Sequence, residues 1–171
     1  FNLERVVTQG ATAEARWEPL ARMTLAASYQ FLDCFSLEEQ ESIARGEVQK
    51  IGTTGVVRAV QAVEYGGLFN RSRHSGTLRI SYNDTATGIT ATLRTTLRGR
   101  YGYADANSNG VLDDAAEYHT GYMLWNASVS KQLGSWLTAF ATAENLLDHT
   151  DSQLPELPGR LLGLGIRVEF R

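Results

Sequence analysis

Between Asp105 and Glu117 the chain carries oxygen-bearing side chains at Asp105, Asn107, Asn109 and Asp113, with Gly110 among them. Hard cations such as Ca2+ prefer oxygen ligands. A 12-residue calcium loop supplies them from positions 1, 3, 5, 7, 9 and 12, with glycine at position 6 for the sharp turn. Counted from Asp105, the side chains of Asp105, Asn107, Asn109 and Asp113 take positions 1, 3, 5 and 9. Gly110 takes position 6, and Val111 would give its backbone carbonyl at position 7. Position 12 departs from the pattern: it is Ala116, and the carboxylate comes one residue later, at Glu117. Two readings stand. One is a Ca2+ site that stiffens a surface loop. The other is a metal-free turn, since Asn, Asp and Gly are ordinary turn formers.

A second set of chemistry-bearing residues is Arg79, Arg94, Arg98 and Arg100. Their even spacing puts them on one face of neighbouring strands. That face is either a positive track for an anionic ligand or a set of charges paired with an internal element or with Glu144 and Glu169. The polar lumens of barrels favour the second reading. His74, His119 and His149 have no metal-ligand spacing relative to one another and are expected at the surface. Cys34 is the one cysteine, so no internal disulfide can form. A formal net charge of −3 leaves no basic footprint for nucleic acid. No Gly-x-Ser-x-Gly, His-Glu-x-x-His or phosphate loop occurs. No enzyme is expected, and Ca2+ is the one cofactor the sequence suggests.

The scaffold that must carry these residues is written in a period of two. Seven stretches alternate, at 9–17, 22–32, 76–83, 89–101, 121–131, 136–144 and 160–170. In the fourth, Ile89, Ala91, Leu93, Thr95 and Leu97 oppose Thr90, Thr92, Arg94, Thr96, Arg98 and Arg100. The last sets Leu162, Leu164, Ile166, Val168 and Phe170 against Arg167 and Glu169. Their length suits the roughly 9–11 residues a tilted strand needs to cross a bilayer. No run of about 18 apolar residues exists, so no transmembrane helix is expected, and barrel strands would not show one. A soluble sandwich also alternates, with its apolar face inward.

The connections weigh more than the alternation. They run short, long, short, long, short, long: 18–21, 33–75, 84–88, 102–120, 132–135 and 145–159. Outer-membrane barrels have this asymmetry, with short periplasmic turns and long extracellular loops. The expected fold is therefore all-β, an antiparallel up-and-down meander of about seven strands. Within 33–75, Ser36-Leu37-Glu38-Glu39 reads as a capping box opening a short helix that Gly46 stops. The segment 52–65 reads as a hairpin. Trp17, Tyr29, Tyr82, Tyr101, Tyr122, Trp125 and Trp136 fall near strand ends, where barrels carry interfacial aromatic girdles.

Glu144-Asn145-Leu146-Leu147-Asp148, followed by a loop and then Pro158-Gly159-Arg160, resembles the C-terminal signature of TonB-dependent outer-membrane receptors. Leu124-Trp125-Asn126-Ala127-Ser128-Val129 resembles another strand of that family. Gly10–Glu14 with Trp17-Glu18-Pro19, then Leu25–Tyr29, resembles its late barrel strands. Arg73-His74 resembles the family's entry to the next strand, with Ser72 and Arg73 departing from the usual proline. Gly165, Val168 and Phe170 are similar to the C-terminal assembly signal, from which the added Arg171 departs.

The resemblance implies the C-terminal portion of a 22-stranded transmembrane β-barrel in the bacterial outer membrane. The plug and the earlier strands would lie upstream. The barrel takes up metal chelates (siderophore-like), vitamins or carbohydrates. It meets outer-membrane lipid, the barrel-assembly machinery and an unidentified small-molecule ligand, and it reaches the TonB complex through the missing N-terminal part. A chain opening at Phe1, without Met or a signal peptide, is expected to be a piece of a longer protein. On this reading 1–171 is one segment, and 33–75 is a long extracellular loop. The alternative from another class is a soluble secreted β-domain whose calcium-binding loop acts in adhesion or binding.

Overall fold

The computed structural model describes residues 5–52, 55–154 and 157–169. The strands are β1 (Val6–Leu20), β2 (Met23–Ser36), β3 (Gln49–Ile51), β4 (Val57–Ala59), β5 (His74–Asp84) and β6 (Ile89–Arg98). They continue with β7 (Tyr101–Gly102), β8 (Tyr118–His119), β9 (Tyr122–Gln132), β10 (Leu137–Glu144) and β11 (Leu161–Val168). One α-helix, α1, spans Leu37–Ala44. Seven strands form one sheet in the order β1-β2-β5-β6-β9-β10-β11. The remaining four make two small hairpins, β3-β4 and β7-β8. All seven alternating stretches of the sequence thus become sheet strands in chain order, which is the expected meander. The hairpin expected at 52–65 forms from β3 and β4, its first arm lying just upstream of that range.

Register turns the alternation into two chemically distinct faces, because a slip of one residue would exchange them. Ala127 and Val129 of β9 pair with Ala143 and Ala141 of β10. Ala143, Ala141, Ala139 and Leu137 pair in turn with Leu162, Leu164, Ile166 and Val168 of β11. The opposite face aligns Ser128 with Thr142 and Gly163, and Ser130 with Phe140 and Gly165. Gly165 has a steric task there: a Cβ on it would lie 2.3 Å from Cζ of Phe140. The aromatic ring covers the glycine across the strand pair, a device that pins register. Phe170, the last residue of the expected assembly signal, lies outside the described residues.

The chain divides into two compact units. Unit one comprises 1–12, 30–75 and 98–122; unit two comprises 13–29, 76–97 and 123–171. The buried apolar side chains among the described residues are Cys34, Ile43, Val60, Tyr101, Val111 and Leu112, and all belong to unit one. Ile43 of α1, Val60 and Val111 form its central cluster, with Val48 and Tyr65 packed against them.

Helix α1 starts where expected. Ser36 is the N-cap, and its hydroxyl accepts from the Glu39 N–H at 3.3 Å. The capping box does not close on itself, however. The Tyr65 hydroxyl takes the Ser36 N–H at 3.0 Å and donates to the Glu39 carboxylate, standing between the two ends of the box. The helix ends at Gly46, whose φ of +74° suits glycine. Gly46 and Glu47 donate their N–H groups back to the Ile43 and Ser42 carbonyls, which is a Schellman ending.

In unit two the strands end in tight turns. Asp84 receives Arg22 at 2.7 Å and accepts the Ala86 and Thr87 N–H groups at 3.0 and 3.4 Å. Apolar side chains along this unit stay open. Leu162, Leu164 and Ile166 are 73%, 88% and 69% exposed. Trp17, Tyr29, Tyr82 and Trp136 of the expected girdle are exposed as well, but Tyr101 is not. It is buried in unit one, where Arg98 stacks on it, because β7 turns it into the loop core instead of an interface.

Candidate functional site

Backbone hydrogen bonding shapes the 105–117 loop. The Asp105 carboxylate accepts from the N–H groups of Asn109 and Gly110 at 3.2 and 2.8 Å. Asn107 Oδ1 accepts from the Asn109 N–H, and Asn109 Oδ1 from the Val111 N–H. These are the local turns that short polar side chains favour, with Gly110 at φ +86° allowing the bend. Val111, expected to contribute only its carbonyl, also buries its side chain among Ile43 and Val60 and so anchors the loop.

The two carboxylates that close the loop are buried. Glu117 accepts from the N–H groups of Ala106, Asp113 and Asp114 at 3.2, 2.7 and 2.9 Å. Asp113 Oδ1 receives the side-chain amides of Asn107 and Asn109 at 2.8 and 3.1 Å. Its Oδ2 meets the ammonium of Lys50 at 3.1 Å, and Lys50 also donates to the Asp113 carbonyl at 3.0 Å and contacts Glu64 at 3.1 Å. A charge removed from water is costly unless paired and hydrogen-bonded, and this lysine provides the pairing. Burial works against its charged form. The bonds and charges of Glu64 and Asp113 outweigh that and raise its pKa. The Arg58 guanidinium, the Gln61 N–H and Lys50 hold the Glu64 carboxyl well below the usual carboxylate range. Among the described residues no group of three or more His, Cys, Asp or Glu side chains is placed to hold a metal ion, while Ca2+ can also take Asn and backbone oxygens. Asp105, Asn107, Asn109, Asp113 and Glu117 instead share one hydrogen-bonded loop with Lys50 as its internal cation.

The four arginines separate into two settings. Arg79 of β5 and Arg94 of β6 line one groove of unit two with Glu14, Arg16, Ser28 and Thr77. This is the polar face, where the Ser28 and Thr77 hydroxyls bond across the strands at 2.8 Å. Arg98 and Arg100 belong to unit one. Arg98 donates to the Asn70 carbonyl at 2.9 Å and stands 3.7 Å over the Tyr101 ring, while Arg100 stands 3.9 Å over Tyr118. Period-two spacing placed all four on one track. Arg100 instead lies beyond the end of β6, where loop aromatics capture it.

His119, expected at the surface, is 1% exposed. It stacks on Tyr101 and meets Tyr103 and Tyr122 edge-on, and its Nδ1 accepts from the Gly121 N–H at 2.9 Å. Tyrosines brought together by the same long connection build that pocket, and no local pattern announces it.

The Glu144–Asp148 block has a physical explanation that sequence reading missed. Asn145 is 5% exposed and adopts φ +47°. Its N–H reaches Asn126 Oδ1 at 2.9 Å, its amide donates to the carbonyls of His149 and Pro158, and its Oδ1 accepts from the His149 N–H. Asp148 Oδ1 accepts the Arg160 N–H at 2.7 Å. One polar knot thus joins Leu124–Val129, the block itself and Pro158–Arg160, three segments the sequence shows separately.

The sequence matches the family model described as TonB dependent receptor-like, beta-barrel, over residues 1–146. No curated protein matches it. Among solved structures, the siderophore receptor PiuA from Acinetobacter baumannii aligns with 95% of this chain and 22% of its own, at 14% identity and TM-score 0.60. The ferric yersiniabactin uptake receptor FyuA from Yersinia pestis aligns with 97% of this chain and 24% of its own, at 14% identity and TM-score 0.63. At that identity the likeness establishes the fold, and the chain spans under a quarter of either receptor.

Proposed function

The chain belongs to the family of TonB-dependent receptor-like β-barrels, and from that premise we propose that it forms part of the wall and extracellular loops of an outer-membrane transporter. The cargo class would be a scarce nutrient such as a metal chelate of the siderophore kind, a vitamin or a carbohydrate. TonB would act through a part of the protein upstream of this chain.

The observation that carries the proposal is the open apolar face of unit two. Leu162, Leu164 and Ile166 lie in register with the alanines of β10 and are 73%, 88% and 69% exposed. Water penalises such a face at about 25 cal/mol per Å², while lipid accepts it. A soluble adhesion domain would bury it against a second sheet. The strictly alternating connection lengths and the polar groove at Arg79 and Arg94 support the same reading.

Epitope tags near Gly55 and Gly134 of the full-length parent protein test it. Staining of intact cells at Gly55, and at Gly134 only after the envelope is opened, is the expected result. Staining at both sites, or recovery of the tagged protein in a soluble fraction, would end the transporter reading.

Calcium is a second proposal, for the loop alone. Its ligands would be Asp105, Asn107, Asn109, Asp113, Glu117 and the Val111 carbonyl, and the ion would take the place of Lys50 at Asp113. Calorimetric titration with CaCl2 supports this if wild type binds. Binding only after Lys50→Met would identify the lysine as the loop's resident cation.

A further inference from the structure

A cavity of about 380 Å³ opens among the loop residues of unit one, within the roughly 300–1,000 Å³ range of small-molecule sites. Its wall includes Arg71, Arg73, His74, Arg100, Tyr118 and Gly66. Two acids of the same wall are ion-paired, Glu64 with Arg58 and Lys50 and Asp113 with Lys50, while the exposed Asp114 accepts the Ala116 N–H and is the one wall acid among the described residues without a cation. Arg73 contacts Asp33 at 3.0 Å. Among the described residues no carboxylate pairs with Arg71 or Arg100, so the wall keeps positive charge facing open space.

Arg100 is held for that task. Its guanidinium stands 3.9 Å over the Tyr118 ring. Stacking occupies the flat face of the group and leaves its in-plane N–H donors for a carboxylate or phosphate. Tyr118 reaches the cavity because residue 66 has no side chain: a Cβ there would lie 1.4 Å from the tyrosine hydroxyl. Burial raises the pKa of that phenol, so it stays a hydrogen-bond donor at neutral pH. Arg71 also borders a second cavity of about 490 Å³ whose wall includes Leu68, Phe69 and Tyr103. The carboxylates of this second wall, Glu39 and Asp105, are bonded to Tyr65 and to the backbone N–H groups of Asn109 and Gly110.

We infer that Arg71 and Arg100, with the Tyr118 hydroxyl, form a seat for a small molecule that joins a phosphate or carboxylate to an aromatic body. The anionic group sits on the two guanidiniums, and the apolar part lies against Phe69 and Tyr103. That this molecule is the transported cargo rests on the transporter reading above; that the seat binds it does not.

The test uses the full-length protein in detergent at low ionic strength, with phenyl phosphate as the probe and inorganic phosphate and phenol as its two halves. Calorimetry should show phenyl phosphate binding more tightly than inorganic phosphate, with phenol not binding. Arg71→Gln and Arg100→Gln should each weaken binding about tenfold, the size of one lost charge-assisted contact. Arg100→Lys keeps the charge without the planar fork and should recover part of that loss. Arg45→Gln, in the exposed pair with Glu47, should change nothing. Absence of phenyl phosphate binding, binding that survives both glutamine variants, or equal weakening by Arg45→Gln would overturn the inference. The tag experiment fails or succeeds independently of this one, so a lost seat and a lost transporter reading are told apart.

Discussion

In unit one, Ile43, Val60 and Val111 meet in a buried cluster and Lys50 is paired with Asp113. In unit two, Leu162, Leu164 and Ile166 stand open, and no apolar side chain among the described residues reaches full burial. The two units differ in where their buried apolar side chains lie. Unit one buries a small apolar cluster and pairs Lys50 with the buried Asp113, while Ile51, Val57 and Val63 of the same unit stay exposed. Unit two satisfies much of its backbone through strand pairing and turns apolar residues outward, an arrangement the transporter reading would set against lipid. The comparison can be broken by perturbing one unit and watching the other.

The largest effect is expected from Lys50→Met. It leaves Asp113 buried beside no cation, a loss of about 3–5 kcal/mol for a broken buried pair. Hydrogen exchange should rise across 101–119 and stay unchanged across 123–144. An equal rise in both segments would show that the units do not differ as described. Next in size is Leu164→Arg. If the residue faces lipid near the midplane, folding into vesicles should lose about 2–4 kcal/mol in a urea titration, with unit-one exchange untouched. A loss below about 0.5 kcal/mol, the range of an ordinary surface substitution, would place Leu164 in water.

The mildest perturbation is pH. Glu64 has a depressed pKa, so its stabilising share is present above its ordinary value of 4.5 and is lost as acid carries the pH below it. The pKa of Lys50 is raised, so its share is present below 10.5 and is lost as base carries the pH above that value. Through Glu64 and Lys50, unit one should accordingly lose protection as the pH falls below about 4.5 and as it rises above about 10.5. Protection unchanged at both extremes would contradict this assignment.

The sheet was legible in the sequence because period two is a local signal, and each strand of 8 to 15 residues carries it unaided. The Ser36 cap and the Gly46 stop were legible for the same reason. What escaped was long in sequence separation. Lys50 lies 63 residues from Asp113, Tyr65 lies 29 from Ser36, and Asn145 lies 19 from Asn126. None of these partners advertises the other. The calcium pattern at 105–117 was visible, whereas the lysine that meets its ninth position was not. The burial of His119 and Tyr101 follows from the β7-β8 hairpin, two residues on each side and too short to alternate. Gly165 was read as part of a terminal signal, and its cross-strand partner Phe140 shows a local packing role as well.

The most direct test of the account is nitroxide scanning along β9 of the full-length protein in lipid vesicles, after Cys34 and every other native cysteine have been replaced by alanine. Labels at Met123, Trp125, Ala127 and Val129 should be relaxed by oxygen dissolved in lipid. Labels at Leu124, Asn126, Ser128 and Ser130 should respond to a water-soluble nickel chelate, giving a period of two. Uniform access to the chelate on both sets, or protection of the first set from both relaxants, would contradict a wall with one face in lipid.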